Sequence, residues 1–272
     1  MEEDENKVFN GGKELFIYFN ILNTIEISDE GIQQWYKINS NETCIKGKSQ
    51  ILSQICSIPT DTLPSRYKTI GFSSKLYVMG GYFENQDIGN RGQIKNSVRS
   101  KVFVCDTLST NPVWEECSSM MSCKIRPQLA VADGKIFAFG SRLLINFSVK
   151  KPYAEVFDPL LNKWTALPDP PSDVRLGNVS DSVFVKDRDE IIIFPFGHHY
   201  PRDAYRFNVK CHSWMRFCDP FEVPTDNFTS SVAVGDVVFR LLKNQLYACD
   251  MSKPKPIEHR VYGLEKEMKS ST

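Results

Sequence analysis

Glu155-Val-Phe-Asp-Pro159, followed by Asn162-Lys-Trp-Thr-Ala-Leu-Pro168, is the stretch on which the fold of this chain turns. An apolar strand runs up to Asp158, a polar turn follows, and Trp164 opens a second strand six residues after Asp158. A short strand, a turn-forming Asp and a new strand are the marks of an antiparallel hairpin. The arrangement recurs. Ala204-Tyr-Arg-Phe-Asn208 precedes Trp214, with Asn208 six residues ahead. Val102-Phe-Val-Cys-Asp106 precedes Trp114, with Asp106 eight ahead. Trp114, Trp164 and Trp214 are spaced by 50 residues and again by 50, while Trp35 stands 79 before Trp114.

A second register follows the tryptophans. Arg66, Arg126 and Arg175 lie 31, 12 and 11 residues after Trp35, Trp114 and Trp164. Fourteen residues beyond Arg66 is Gly80, in Leu76-Tyr-Val-Met-Gly-Gly81, and fourteen beyond Arg126 is Gly140, in Lys135-Ile-Phe-Ala-Phe-Gly140. The third copy, Glu190-Ile-Ile-Ile-Phe-Pro-Phe-Gly197, is delayed by the charged insert Lys186-Asp-Arg-Asp-Glu190. A fourth copy runs from Asn227 through Ser231-Val-Ala-Val-Gly-Asp236 to Asn244-Gln-Leu-Tyr-Ala-Cys-Asp250 and has no Trp. Each repeat therefore reads as four short strands. Such a unit cannot bury both of its faces alone, but it can when stacked radially with its neighbours.

Apolar strand, Gly-Gly, variable loop, strand ending at Asp, then Trp: this pattern resembles the kelch repeat, over roughly residues 13–262. Only Gly80-Gly81 keeps the double glycine; Gly140-Ser141 and Phe196-Gly197 are worn versions. The wording of the middle, with Pro112-Val-Trp-Glu-Glu-Cys117, is most similar to plant kelch and F-box/kelch proteins. The resemblance implies an all-β kelch-type β-propeller of about five blades, each of four antiparallel strands; a shortened six-bladed ring is the rival. Phe16–Phe19, Thr24–Ile27 and Trp35–Ile38 are read as strands of a first blade lacking its inner strand. Pro256–Tyr262 is either a ring-closing strand or the outer strand of the fifth blade. Residues 1–12 are read as an acidic flexible N-terminus, too short for an F-box or BTB segment, and 263–272 as a polar tail.

Composition limits the function. Of 272 residues, 41% are apolar, enough for a large core. Lys plus Arg and Asp plus Glu both number 33, so no general attraction to nucleic acid or anionic membrane is expected. The acidic start is unlike a secretory leader, and no stretch approaches the ~20 apolar residues of a membrane helix. This reading places the chain in the cytoplasm or nucleus as a monomer. The eight cysteines form no CxxC pair and are read as reduced core thiols.

The loops carry the functional expectation. In an antiparallel blade the start of the first strand and the end of the second share one edge. The repeat arginines and the loops after the glycines therefore share one face. That face holds Tyr82, Arg142, His198, His199, Tyr200 and Arg202 beside Arg66, Arg126 and Arg175. Arg and Tyr are enriched at binding hot spots; solvated loop charge is the plain alternative. In peptide-binding kelch domains, arginines at the positions of Arg66, Arg126 and Arg175 often line the partner pocket, and the resemblance implies that role here. The tryptophans, the glycines and Asp106 and Asp158 are assigned to packing, backbone geometry and turns. His198-His199 lacks further ligands in sequence, so no metal or other cofactor is expected. The leading expectation is a non-enzymatic protein-interaction module related to ubiquitin-ligase substrate receptors. Its rival is an enzyme or small-ligand binder using the central channel, as in galactose-oxidase-like or specifier-like kelch propellers.

Overall fold

The computed structural model describes three strands within residues 1–66 by their backbone. Beyond them it describes residues 67–81, 100–124, 127–140, 152–171, 179–195, 203–218, 230–242, 245–253 and 255–262. The chain divides into two compact units: Met1–Thr62 with Ser109–Val113, and Leu63–Leu108 with Trp114–Thr272.

The first unit contains a three-stranded antiparallel meander, β1 (Phe16–Thr24), β2 (Gly31–Asn39) and β3 (Ser53–Pro59). It departs from the sequence reading in three ways. Phe16–Thr24 is one continuous strand, without the expected break between Phe19 and Thr24, and residues 25–27 of the expected strand Thr24–Ile27 lie outside the described residues. β3 was not foreseen, because its apolar residues Ile55, Cys56 and Ile58 do not alternate. Trp35 lies on the middle strand, opposite Asn20 and Cys56, whereas the later tryptophans lie on outer strands.

The second unit holds four sheets of four antiparallel strands each, all in simple sequential order. The first is β4 (Lys68–Phe72), β5 (Lys75–Met79), β6 (Val102–Asp106) and β7 (Trp114–Cys117). The second is β8 (Gln128–Ala132), β9 (Lys135–Phe139), β10 (Ala154–Asp158) and β11 (Lys163–Ala166). The third is β12 (Val179–Val185), β13 (Glu190–Pro195), β14 (Asp203–Asn208) and β15 (Ser213–Cys218). The fourth is β16 (Ser230–Val234), β17 (Val237–Leu242), β18 (Gln245–Asp250) and β19 (Glu258–Val261). The charged insert at 186–190 supplies a single 3-10 turn, Lys186–Arg188, between β12 and β13. Among the described residues there is no α-helix, and no helix long and apolar enough to cross a membrane. The C-terminal strand resolves one open choice: β19 pairs with β18 and is the outer strand of the last sheet.

First strands sit side by side, β4 by β8, β8 by β12 and β12 by β16, which is the blade order of a propeller. Apolar side chains fill each junction. Tyr77, Met79 and Val102 of the first sheet meet Ile136, Ala138, Phe157 and Trp164 of the second. Phe137 and Phe139 meet Ile191, Ile193 and Phe207. Val183, Val185 and Phe194 meet Val238, Cys249 and Met251. Ala130, Ala132, Val183 and Val185 are thereby buried, whereas Val232 and Val234, at the same register of β16, are 58% and 66% exposed.

The tryptophan period has a structural meaning. Trp114, Trp164 and Trp214 each stand opposite the residue that precedes the repeat Asp or Asn: Cys105, Phe157 and Phe207. The Trp164 indole N–H donates to the Ser118 carbonyl at 2.8 Å, and that of Trp214 to the Pro168 carbonyl, also at 2.8 Å. Ser118 and Pro168 each lie four residues after the previous repeat's Trp. The 50-residue spacing is therefore the condition for one bond to recur across successive sheets. Trp164 is the deepest of the three; Trp114 and Trp214 are half-buried. In the last sheet Glu258 takes the Trp position, opposite Cys249.

The repeat Asp and Asn residues close turns, as the sequence implies. The Asp106 carboxylate accepts from Leu108 N–H, Asp158 from Leu160 and Leu161, and Asp250 from Ser252, while the Asn208 side-chain oxygen accepts from Lys210 and Cys211. The residue after each anchors to the first hairpin of its sheet: Thr107 N–H to Ser74 O, Val209 to Asp189 O and Met251 to Asp236 O. Pro159 has no N–H to offer at that position. Cys105, Cys117, Cys123, Cys211 and Cys249 form no disulfide; Cys105 and Cys249 are buried as expected, but Cys211 is exposed in the β14–β15 turn and is not a core thiol.

Two outcomes check this packing. Trp164 is 6% exposed, with its ring 5.0 Å from that of Phe157, so Trp164→Ala should cost about 3–5 kcal/mol in urea or thermal unfolding. Tyr153 is buried with its hydroxyl unbonded, and burial pushes its phenol pKa up. Tyr153→Phe removes that unmet hydroxyl, so stability should stay level or rise by up to about 1 kcal/mol in the same assay.

Candidate functional site

Strand register defines the edge at which the loops leave the sheets. Lys68 pairs with Met79, Gln128 with Phe139 and Val179 with Pro195. The start of each first strand thus lies beside the end of each second strand. The opposite edge carries the tight hairpins, where Ser73, Asp133 and Asp189 have positive φ. His212 belongs to that hairpin edge, in the β14–β15 turn, with its ring stacked at 6.0 Å on Phe207.

Arg66, Tyr82, Arg126, Arg142, Arg175, His198, His199, Tyr200 and Arg202 all lie outside the described residues. So do the loops at 82–99, 141–151 and 196–202. What the structure does describe is the floor from which they spring: Tyr67, Gly81, Lys124, Pro127, Gly140, Pro152 and Asp203.

The best-defined part of that floor is the connector from β7 to β8. Ser118 at its start is clamped to the next sheet: its N–H donates to Asn162 Oδ1 at 3.1 Å and its hydroxyl donates to the Asn162 carbonyl. Met120 N–H donates to Ser100 O at 2.8 Å. Two charges then enter the interior together. Lys124 Nζ lies 3.0 Å from Glu155 Oε1, and neither side chain has any exposure. The Glu155 carboxylate also accepts from Met121 N–H at 2.6 Å and from Ser122 N–H and Oγ–H at 3.3 and 3.1 Å. Lys124 Nζ donates to Ser122 Oγ at 2.6 Å, to Pro152 O at 3.0 Å and to Tyr153 O at 3.2 Å. Burial lowers the Lys124 pKa, and the Glu155 carboxylate opposes that shift. Buried charges survive only where pairing and hydrogen bonds replace the lost water, and this pair has both.

The sequence reading missed this pair. Its signal was Glu155, the single carboxylate inside an otherwise apolar strand ahead of Asp158. Elsewhere on the third strands, three residues before the repeat Asp or Asn, stand Phe103, Tyr205 and Tyr247.

The connector also explains the double glycine. Gly81 N–H donates to Lys124 O at 2.8 Å. Gly80 has φ of 76°, and a Cβ there would lie 2.5 Å from Lys124 O and 2.8 Å from Pro127 Cδ. Glycine is required twice over, by the left-handed backbone and by the passing chain. Gly134 shares the left-handed backbone (φ +70°), but a Cβ there would meet nothing within 4 Å. Gly134→Ala should therefore cost about 1–2 kcal/mol, the left-handed penalty alone. Gly80→Ala should cost clearly more, and paired urea titrations of the two variants measure the difference.

Known proteins are similar to this chain in sequence. An F-box/kelch-repeat protein of Arabidopsis thaliana is 30% identical over 226 residues, covering 81% of this chain and 50% of that protein. A second Arabidopsis F-box/kelch-repeat protein is 29% identical over 120 residues, 44% of this chain and 26% of its own length. A kelch-like protein of Aspergillus terreus is 22% identical over 192 residues, 66% of this chain and 39% of that protein. The chain thus spans half or less of the curated relatives it matches. No family model matches it. The 50-residue tryptophan period, the four antiparallel blades and these relatives agree: the chain is a kelch-repeat protein built of β-propeller blades.

Proposed function

We propose that this chain is a non-enzymatic protein-interaction module that captures an acidic or polar segment of a partner protein on its loop edge. The observation that carries this reading is the strand register. Lys68 opposite Met79, Gln128 opposite Phe139 and Val179 opposite Pro195 bring the ends of six strands to one edge. The segments joined to those ends contain Arg66, Tyr82, Arg126, Arg142, Arg175, His198, His199, Tyr200 and Arg202. Such a set is rich in cations and aromatics although the chain as a whole is neutral. Guanidinium groups bind carboxylates with paired hydrogen bonds, and Tyr and Arg dominate binding hot spots. The kelch-repeat relatives favour an interaction role over catalysis, and the two F-box/kelch names favour a relation to ubiquitin-ligase substrate receptors. In this reading the propeller spans residues 13–262 and acts as a monomer in the cytoplasm or nucleus without a cofactor.

The test is affinity capture with mass spectrometry, comparing the intact chain with the Arg66, Arg126, Arg175→Ala triple variant. The triple variant should lose its specific partners while its melting temperature stays within a few degrees of the original, because exposed charges add little to stability. Each hot-spot Arg is worth about 2 kcal/mol or more, so the loss of three should take capture below detection. Recovery of every partner by the triple variant would move the binding surface to the hairpin edge or the tail. Unfolding would make the arginines links between blades. Cullin-complex components among the captured proteins would support the ligase relation.

A further inference from the structure

We propose that the buried Lys124–Glu155 pair is a positioning device for the loop edge, holding the β7–β8 connector so that the segments leaving Gly81 and entering Arg126 start from a defined place. The proposal rests on the loop-edge reading above and adds to it the two residues that prepare that edge.

The geometry favours positioning over stability. An ion pair with no exposure contributes little net stability, and an apolar pair of the same volume serves a core as well or better. Yet Lys124 on the β7–β8 connector and Glu155 on β10 are both wholly buried, while Phe103, Tyr205 and Tyr247 occupy the positions of Glu155 on the third strands of the other sheets. An apolar contact lets neighbouring chains slide; directed bonds do not. Glu155 fixes two consecutive connector amides, those of Met121 and Ser122. Lys124 ties the connector to the carbonyls of Pro152 and Tyr153, where the chain returns to β10. The Lys124 carbonyl then receives Gly81 N–H, the last described group before the loop at 82–99. Lys124 precedes Arg126 by two residues. One buried pair therefore holds Gly81, where one loop departs, and Pro152, where another returns, and ends two residues before a candidate binding arginine.

Two variants of the full chain separate positioning from plain stability. Glu155→Gln keeps an acceptor but leaves the Lys124 charge without its partner. Lys124→Met/Glu155→Leu replaces both charges by apolar groups and serves if Glu155→Gln fails to fold. Two readouts are taken well below each melting temperature: amide hydrogen exchange, and binding of a fluorescent decaglutamate peptide as a plain acidic probe. In both folded variants the amides of Met121, Ser122 and Gly81 should exchange about tenfold faster or more, with β16–β19 unchanged. Peptide affinity should fall about fivefold or more. Unaltered protection at Gly81 would overturn the proposal. So would faster exchange at Gly81 with full peptide affinity, provided that the Arg66, Arg126, Arg175→Ala variant loses the peptide. If the original chain does not bind the peptide and the triple variant behaves identically, the acidic-partner reading fails instead, and exchange at Gly81 alone then decides the positioning claim.

Discussion

A four-stranded sheet that is apolar on both faces has no stable existence by itself in water, and every other feature of this chain answers that constraint. Each sheet must be covered by the next. The covering is done by aromatic and aliphatic layers such as Phe137, Phe139, Ile191, Ile193 and Phe207. These layers are non-directional, and apolar contact alone would let one sheet slide across another. The indole N–H bonds from Trp164 to Ser118 and from Trp214 to Pro168 remove that freedom. Burial supplies the attraction between blades; the indole bonds supply register where the first sheet meets the second and the second meets the third.

The repeat was legible because it is made of residues whose roles are local. An Asp that closes its own turn, a glycine that takes a left-handed backbone and a Trp that opens a strand all announce themselves within a few positions. Asp158, Gly80 and Trp164 were read correctly for that reason. β3 was not, because its apolar positions do not alternate. The place of Trp35 on a middle strand was missed because a lone Trp carries no information about which strand will pair on its far side. Cys211 was misassigned because its exposure is decided by the hairpin tip on which it sits, not by its residue type.

The loop edge divides in the same way. The basic and aromatic residues assigned to it are read from the sequence and lie outside the described residues. Its floor was not legible in the sequence. Lys124 and Glu155 are 31 residues apart and belong to different elements, so their pairing exists only once the β7–β8 connector lies against β10. Long-range polar pairs of this kind leave a single local trace, an acid in an apolar strand, and that trace is ambiguous without the partner.

The first sheet has a consequence for how such a chain can change over time. The segment between β5 and β6 is closed at its base by the pairing of Met79 with Val102, by Gly81 on Lys124 and by Met120 on Ser100. Its two ends stay together whatever lies between them. Lengthening a loop whose ends are already joined adds only about 0.6 kcal/mol per doubling. The tryptophan bonds lie outside it, so insertions there leave the junctions untouched. Loop sequence and blade packing can therefore drift independently, and descendants of one scaffold can acquire new recognition surfaces without re-solving the problem of folding.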